Sequence, residues 1–346
     1  DARHRRNRLP QVLARAIESF LEQMDSSCEL LLGVPEEQAA LWHPVLQDWG
    51  RRFPTTTIRP HVLPSPRQRA NPKVAWLEWL APDARGTVWL WSDADITAPP
   101  GLLTGIRTRL ATEPAIGAVT VPYGIRRTGH AAGWLDALFV NVEFLPGTLL
   151  LERQGPVPLA FGAAVLFRAE DFRNRVSWEE LGASLADDHE LGRQLGPVRI
   201  SGPVAETCAL ETRFVPALRH VYRWQKTIRW CRPGGFAALV VILPLLGWTA
   251  ALGWTPGDAA VRTGFGVQYA LEVGVAAVLL NRVGFRGPRW GWVSVLAWPA
   301  VRCGLWLAAW LPLPVVWQDP TQTWSEAHRP GPERLPTQNG SRGTEN

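Results

Sequence analysis

The chain has 346 residues, 46% of them hydrophobic, and a formal net charge of +5 from 36 Lys and Arg against 31 Asp and Glu. That length holds one domain with its own core plus a second, different region, and so mild a basic excess, with no basic stripe threaded by aromatics, argues against a nucleic-acid partner. An anionic lipid surface suits the charge better, and the scattered Cys28, Cys208, Cys231 and Cys303 exclude a disulfide framework or a cysteine zinc site, as fits a reduced, cytosol-facing domain.

Nineteen Trp stand against one Met and three Tyr, many of them in the C-terminal third beside Gly, Ala, Leu and Val. Trp favours the membrane interface, so the skew points toward lipid. The first residues, Asp1 to Arg8, are basic and polar rather than apolar and show no signal peptide. The native N-terminus is left open by a chain that starts on Asp1.

In chain order, apolar residues at Leu9, Val12, Leu13, Ala16, Ile17, Phe20, Leu21 and Met24 have the spacing of one greasy stripe on a helix. Glu29 to Val34 is a short apolar run closed by Gly and Pro and predicts a buried strand, as do Thr87 to Trp91, Gly117 to Val121 and Ala163 to Phe167. Strands alternating with helix-length segments predict an α/β domain over residues 1–218 with a mostly parallel sheet. Its site is expected at the carboxyl ends of the strands.

Beyond it, residues 219–235 form a basic segment, and residues 236–317 form an apolar region. Phe236 to Trp254 has no charge over nineteen residues, long enough to span a hydrocarbon core. Gly264 to Leu280 is a second candidate span, and Trp290 to Trp317, broken by Arg302 and three prolines, crosses or lies in the interface. Arg219, Arg223, Lys226, Arg229 and Arg232 before the first span, and Arg282, Arg286 and Arg289 after the second, place both flanks in the cytoplasm. The loop with Asp258 and Arg262 is then outside. The tail from Gln318 to Asn346 reads as disordered.

Three constellations can carry chemistry. Ser92-Asp93-Ala94-Asp95 follows a strand, and carboxylates two residues apart there can share Mg²⁺ or Mn²⁺ with a diphosphate; by itself such a pair also reads as a helix cap. Leu185 to Gly192 (LADDHELG) places acids at the start of a helix running to Leu195, where capping is the ordinary explanation and a general base is the functional one. His220-Val221-Tyr222-Arg223-Trp224 offers a guanidinium for phosphate and an indole face for a sugar, or else simple anchoring at a membrane surface.

The order of these elements, an acidic pair after a strand, then a second acidic pair, then an RW element against a span, resembles lipid-directed inverting glycosyltransferases. It is most similar to the ceramide glucosyltransferase family and its bacterial hopanoid-associated relatives. Asn71-Pro72-Lys73, Ser92 to Asp95, LADDHELG, Arg223-Trp224 and Thr227-Ile228-Arg229 carry the resemblance, which runs from about Leu9 to Trp317. It implies a GT-A-like nucleotide-sugar domain, a UDP-sugar donor, a divalent cation, a membrane lipid acceptor and a multi-pass protein of the bacterial inner membrane with its catalytic domain in the cytoplasm.

Position by position, the resemblance assigns the cation and diphosphate carboxylates to Asp93 and Asp95 and the base to Asp188, with Asp187 beside it. Asn71 and Lys73 fall to the donor side. Arg223 and Trp224 fall to the diphosphate and acceptor, and Phe161-Gly162 lies beneath the acceptor. Two positions depart from the family pattern. Glu36 and Glu37 stand where an Asp near the uridine is usual, and His220 stands where Gln or Arg opens the RW element. The family's first strand and N-terminal span are not found in the residues given. A polysaccharide synthase and a non-catalytic membrane module of the same fold are the alternative readings.

Overall fold

The computed structural model describes residues 13–63, 70–209, 211–317 and 319–324. The start of the expected first helix (Leu9 and Val12) and most of the tail lie outside the described residues. A first helix, α1 (residues 13–21), buries Ala14, Ile17 and Leu21 against Leu32 and Val34 of the strand β1 (Glu29–Pro35) and against Trp42 and Trp49 of α2 (Ala39–Arg52). The apolar stripe read from the sequence is thus the face that packs. β1 pairs in parallel with β2 (Thr57–Leu63). β2 escapes sequence patterning because Arg59, Pro60 and His61 interrupt it, and Pro60 is tolerated because β2 pairs on one side only.

The central sheet has four strands in the order β3 (Val88–Ser92), β6 (Ala164–Arg168), β4 (Ala118–Thr120), β7 (Val198–Ile200). β4 and β7 are parallel, but β6 runs antiparallel to both β3 and β4. Against the expectation of a mostly parallel sheet, this sheet is mixed, because β6 is entered from the far end after a long helical excursion. A further parallel pair joins β5 (Tyr123–Gly124) to β8 (Ala205–Glu206).

Alternate residues of the strands face opposite helical layers, as the period of two requires. Val119, Ala164 and Leu166 pack on α4 (Leu102–Thr112) through Leu102, Ile106 and Leu110. Val165, Phe167 and Val198 pack on α6 (Ala169–Arg175), α7 (Trp178–Ala183) and α8 (Asp187–Leu195) through Phe172, Leu181, Leu191 and Leu195. The close approach of α8 depends on Gly192: a Cβ there would lie 2.4 Å from Ala160 N and 2.6 Å from Leu159 C, both backbone atoms. Gly192→Ala is therefore expected to destabilise the fold by about 2–3 kcal/mol as an overpacking change, read as a lower denaturant midpoint; an unchanged midpoint would contradict this packing.

The excursion before β6 is α5 (Gly133–Gln154), with a π-helical stretch at Phe139–Phe144. It packs through Trp134, Leu138 and Phe139 against α9 (Phe214–Cys231), α12 (Ala259–Arg282) and α13 (Trp292–Ala308). Among the described residues α5 and α12 are long and apolar enough to cross a membrane, but α5 is more than half buried inside the protein whereas little of α12 is buried. Val267, Leu271, Val275 and Val278 form an exposed apolar row on α12, of the kind that needs a bilayer or a partner.

The uncharged stretch expected as the first span falls in two helical segments, α10 (Pro233–Ile242) and α11 (Pro244–Trp254), bent by 65° at Leu243. Pro244 is the cause, since it removes an N–H and drives the preceding residue out of the α region; Leu243 has φ −115° and ψ 54°. Arg302 of α13 donates from Nη2 to the carbonyl of Ile242 at the break, at 2.7 Å. The third apolar region is also divided. α13 runs through Pro299 and ends at Ala308, and Val315–Trp317 (β9) pairs antiparallel with Asp319–Trp324 (β10), so the tail read as unordered begins with a strand.

Candidate active site

Asn71 sets the first wall. Its side-chain oxygen accepts from the backbone N–H of Lys73 (3.1 Å) and Val74 (3.3 Å), capping α3 (Pro72–Leu80), and Pro72 fills the position where a missing N–H is harmless. The Asn71 amide donates to Ser184 O (3.1 Å) and Asp187 Oδ1 (3.3 Å), tying this helix start to that of α8. Lys73 is thereby held with Nζ 2.7 Å from Asp93 Oδ1 and 3.1 Å from Asp187 Oδ2. Burial opposes its charge, but Asp187 and then Asp93 outweigh burial and keep the ammonium well above its ordinary pKa.

Ser92 donates to Ala163 O at 2.8 Å, fastening the end of β3 to the start of β6, so that Asp93 emerges beside Gly162. Asp95 Oδ2 accepts from the Thr207 hydroxyl at 2.8 Å, and burial, followed by the Asp93 charge, pushes the Asp95 carboxyl up. On the facing helix, Asp188 Oδ2 accepts from Gly162 N (2.7 Å) and Oδ1 from His189 N (2.8 Å). Burial first, and the neighbouring Asp187 second, raise the Asp188 pKa, with Lys73 opposing. Gly162 is where these groups meet. A Cβ there would lie 3.3 Å from Asp93 Oδ2, 3.4 Å from Asp188 Oδ2 and 3.6 Å from Lys73 Nζ.

The opposite wall is α9, on which His220, Arg223 and Trp224 share one face through their three- and four-residue spacing. Trp224 stacks on Phe139 at 5.0 Å between ring centroids, and His220 lies 4.2 Å from Trp224. Burial lowers the Arg223 pKa, while Tyr123, Asp93, Asp188 and Asp136 favour its charge, so the guanidinium and the carboxylates belong to one electrostatic unit. Tyr123 is raised strongly by burial and then by Asp188, Asp93 and Asp95, which keeps the phenol a hydrogen-bond donor. It packs on Phe144, and Phe144 in turn meets Phe161 edge-on at 5.0 Å.

Asn71, Lys73, Asp93, Gly162, Asp187 and Asp188 are thus brought together, with Asp95, Phe161, Arg223, Trp224 and His220 around them. Glu36 and Glu37 lie in the turn Glu36–Gln38 after β1 and, among the described residues, make no bond to this cluster. Tyr123 and Asp136 were not singled out from the sequence. Tyr123 is findable as a polar residue just past the carboxyl end of β4, whereas Asp136 is an acid flanked by apolar residues in an apolar helix and carries no pattern. Among the described residues no three His, Cys, Asp or Glu converge into a preformed cation cage. Asp93 and Asp95 supply two hard oxygen donors with an excess of negative charge. They fit Mg²⁺ or Mn²⁺ once phosphate oxygens complete the shell.

An α/β domain gathering this many carboxylates at the carboxyl ends of its strands, beside a basic helix leading into apolar ones, has the build of a glycosyltransferase. Over residues 9–325 the sequence matches the family model described as glycosyl transferase family 21. The chain belongs to that family, the ceramide glucosyltransferase-like transferases, in line with its SDAD, LADDHELG and RW residues. A solved structure, "Mannosyltransferase PcManGT from Pyrobaculum calidifontis in complex with GDP-Man and Mn2+", is similar at 15% identity over 86% of this chain and 82% of that one, with a TM-score of 0.46. No curated protein matches the sequence.

Proposed function

We propose that the chain transfers a hexose from a UDP-sugar to a hydroxyl of a membrane lipid, ceramide-like or hopanoid, with inversion at the anomeric carbon. The observation that supports this most is the meeting of Asp93, Asp187 and Asp188 around Lys73 at Gly162, faced by Arg223 from a helix that runs directly into the apolar segments. α9 lies at the cytoplasmic surface, where the exposed Arg219 meets lipid headgroups, while Lys226 and Arg229 are buried. α12 crosses the bilayer.

Asp188 takes the proton of the acceptor hydroxyl as that oxygen bonds to the anomeric carbon. The bond from that carbon to the diphosphate oxygen breaks, and the nucleoside diphosphate leaves with the electron pair. Lys73 and Arg223 neutralise the charge gained by the diphosphate, as preorganised cations do best in a site screened from water. Asp93 and Asp95 would hold a divalent cation, whose chemistry is Lewis-acid stabilisation of the same leaving group. Asp187, fixed by Lys73 and Asn71, keeps Lys73 in place. Trp224, backed by Phe139, offers a flat apolar face to a sugar ring.

Titration of the full chain in detergent with UDP-glucose, UDP-galactose and UDP-N-acetylglucosamine tests the donor side. Saturable binding of at least one, weakened tenfold or more when Mn²⁺ is chelated, is expected. Failure to bind any nucleotide sugar, with or without the cation, would favour a non-catalytic module of this fold.

A further inference from the structure

Asp136 lies in the first turns of the apolar helix α5, and it is 1% exposed among Trp134, Leu135, Ala137 and Leu138, all buried. A carboxylate so placed costs several kcal/mol unless it is paired. An apolar side chain would serve the core at least as well. Its carboxylate lies 3.1 Å from Nδ1 of His220. An ionised Asp only accepts hydrogen bonds, so Nδ1 is the donor, and in the neutral ring Nε2 is then the basic, accepting nitrogen. The ring is held on its other side by Trp224, itself stacked on Phe139. Arg223 is drawn by Asp136 as well as by Asp93 and Asp188, which puts this pair on the wall of the transfer site.

We propose that Asp136 is a positioning residue that orients His220 to accept a hydrogen bond from a second donor group of the acceptor lipid, beyond the hydroxyl that reacts at Asp188. The inference rests on the lipid-acceptor reading. It narrows the acceptor to headgroups with at least two O–H or N–H donors, which a ceramide has and a diacylglycerol, with one free hydroxyl, lacks. Because the hydrogen bond is made by a tautomer that Asp136 selects, the isosteric loss of that carboxylate disturbs acceptor recognition.

The test is binding, not turnover. The affinity of the full chain for a ceramide and for a diacylglycerol in mixed micelles is measured by tryptophan fluorescence for wild type, Asp136→Asn, His220→Gln and the double variant. Wild type is expected to bind the ceramide at least tenfold more tightly than the diacylglycerol, and Asp136→Asn to remove that preference. In the His220→Gln background, where no tautomer needs selecting, adding Asp136→Asn should change ceramide affinity less than twofold. Equal affinity of wild type for the two lipids, or the same loss from Asp136→Asn in both backgrounds, would overturn the proposal. A wild-type chain that prefers the ceramide yet transfers no sugar contradicts the proposed reaction and leaves the binding role of the pair standing.

Discussion

Asp188→Asn is expected to lower the turnover of lipid glycosylation by about 10³-fold, within the range that general base catalysis supplies, with nucleotide-sugar affinity and melting temperature near those of wild type. The size of the effect follows from geometry. Asp188 reaches Gly162 N from the first turn of α8 and sits in a buried, acid-rich corner that raises its proton affinity above that of an ordinary carboxylate. Asp187 is the useful contrast, because its oxygens are already engaged by Lys73 at 3.1 Å and by Asn71 at 3.3 Å. Asp187→Asn should therefore act mainly through donor affinity, by loosening Lys73, and Asp188→Asn mainly through turnover. Steady-state kinetics that gave the larger turnover loss to Asp187→Asn would exchange the two roles.

Asp93→Ala is expected to cut transfer by about 10²–10³-fold, the cost of removing one preorganised charge partner from a transition state, or about 3–4 kcal/mol. Two effects combine. One of two candidate cation ligands is lost, and Lys73 loses the closer of its two carboxylates, at 2.7 Å. With Asp93 absent, Asp95 remains tethered to Thr207 and is too few a ligand to hold Mg²⁺ or Mn²⁺ against water. The dependence of donor binding on Mn²⁺ should accordingly fall away in this variant. Calorimetry showing the same Mn²⁺ dependence as wild type would remove the cation from this carboxylate pair.

The parts of the fold legible in the sequence are those governed by local period. The stripe on α1, the runs that become β1, β3, β4 and β6, and the acidic opening of α8 all follow from spacing. The direction of β6 did not, because antiparallel entry depends on where the 22-residue α5 returns the chain, and nothing within Ala164–Arg168 records that. The bend within the first apolar run was not read either, although its local cause was in view: Pro244 breaks an otherwise uncharged run, and composition alone does not show which prolines bend a helix and which, like Pro299 in α13, are absorbed.

At the site the motifs named candidate residues but not their relations. SDAD and LADDHELG are separated by about ninety positions, and only the folded chain shows that Lys73 bridges them and that Gly162 leaves the space between. His220 was legible as a departure from the family pattern. Its partner was not, since Asp136 lies on a different helix, and an isolated acid among apolar residues has no sequence signature.

The most direct measurement is incubation of membranes carrying the chain with radiolabelled nucleotide sugars and Mn²⁺, followed by extraction and mass identification of the labelled lipid. The account predicts a single hexose added to a hydroxyl-bearing lipid, with inverted anomeric configuration, and no label after Asp188→Asn. Label recovered in a water-soluble polymer, or in lipid to the same extent with Asp188→Asn, would contradict it.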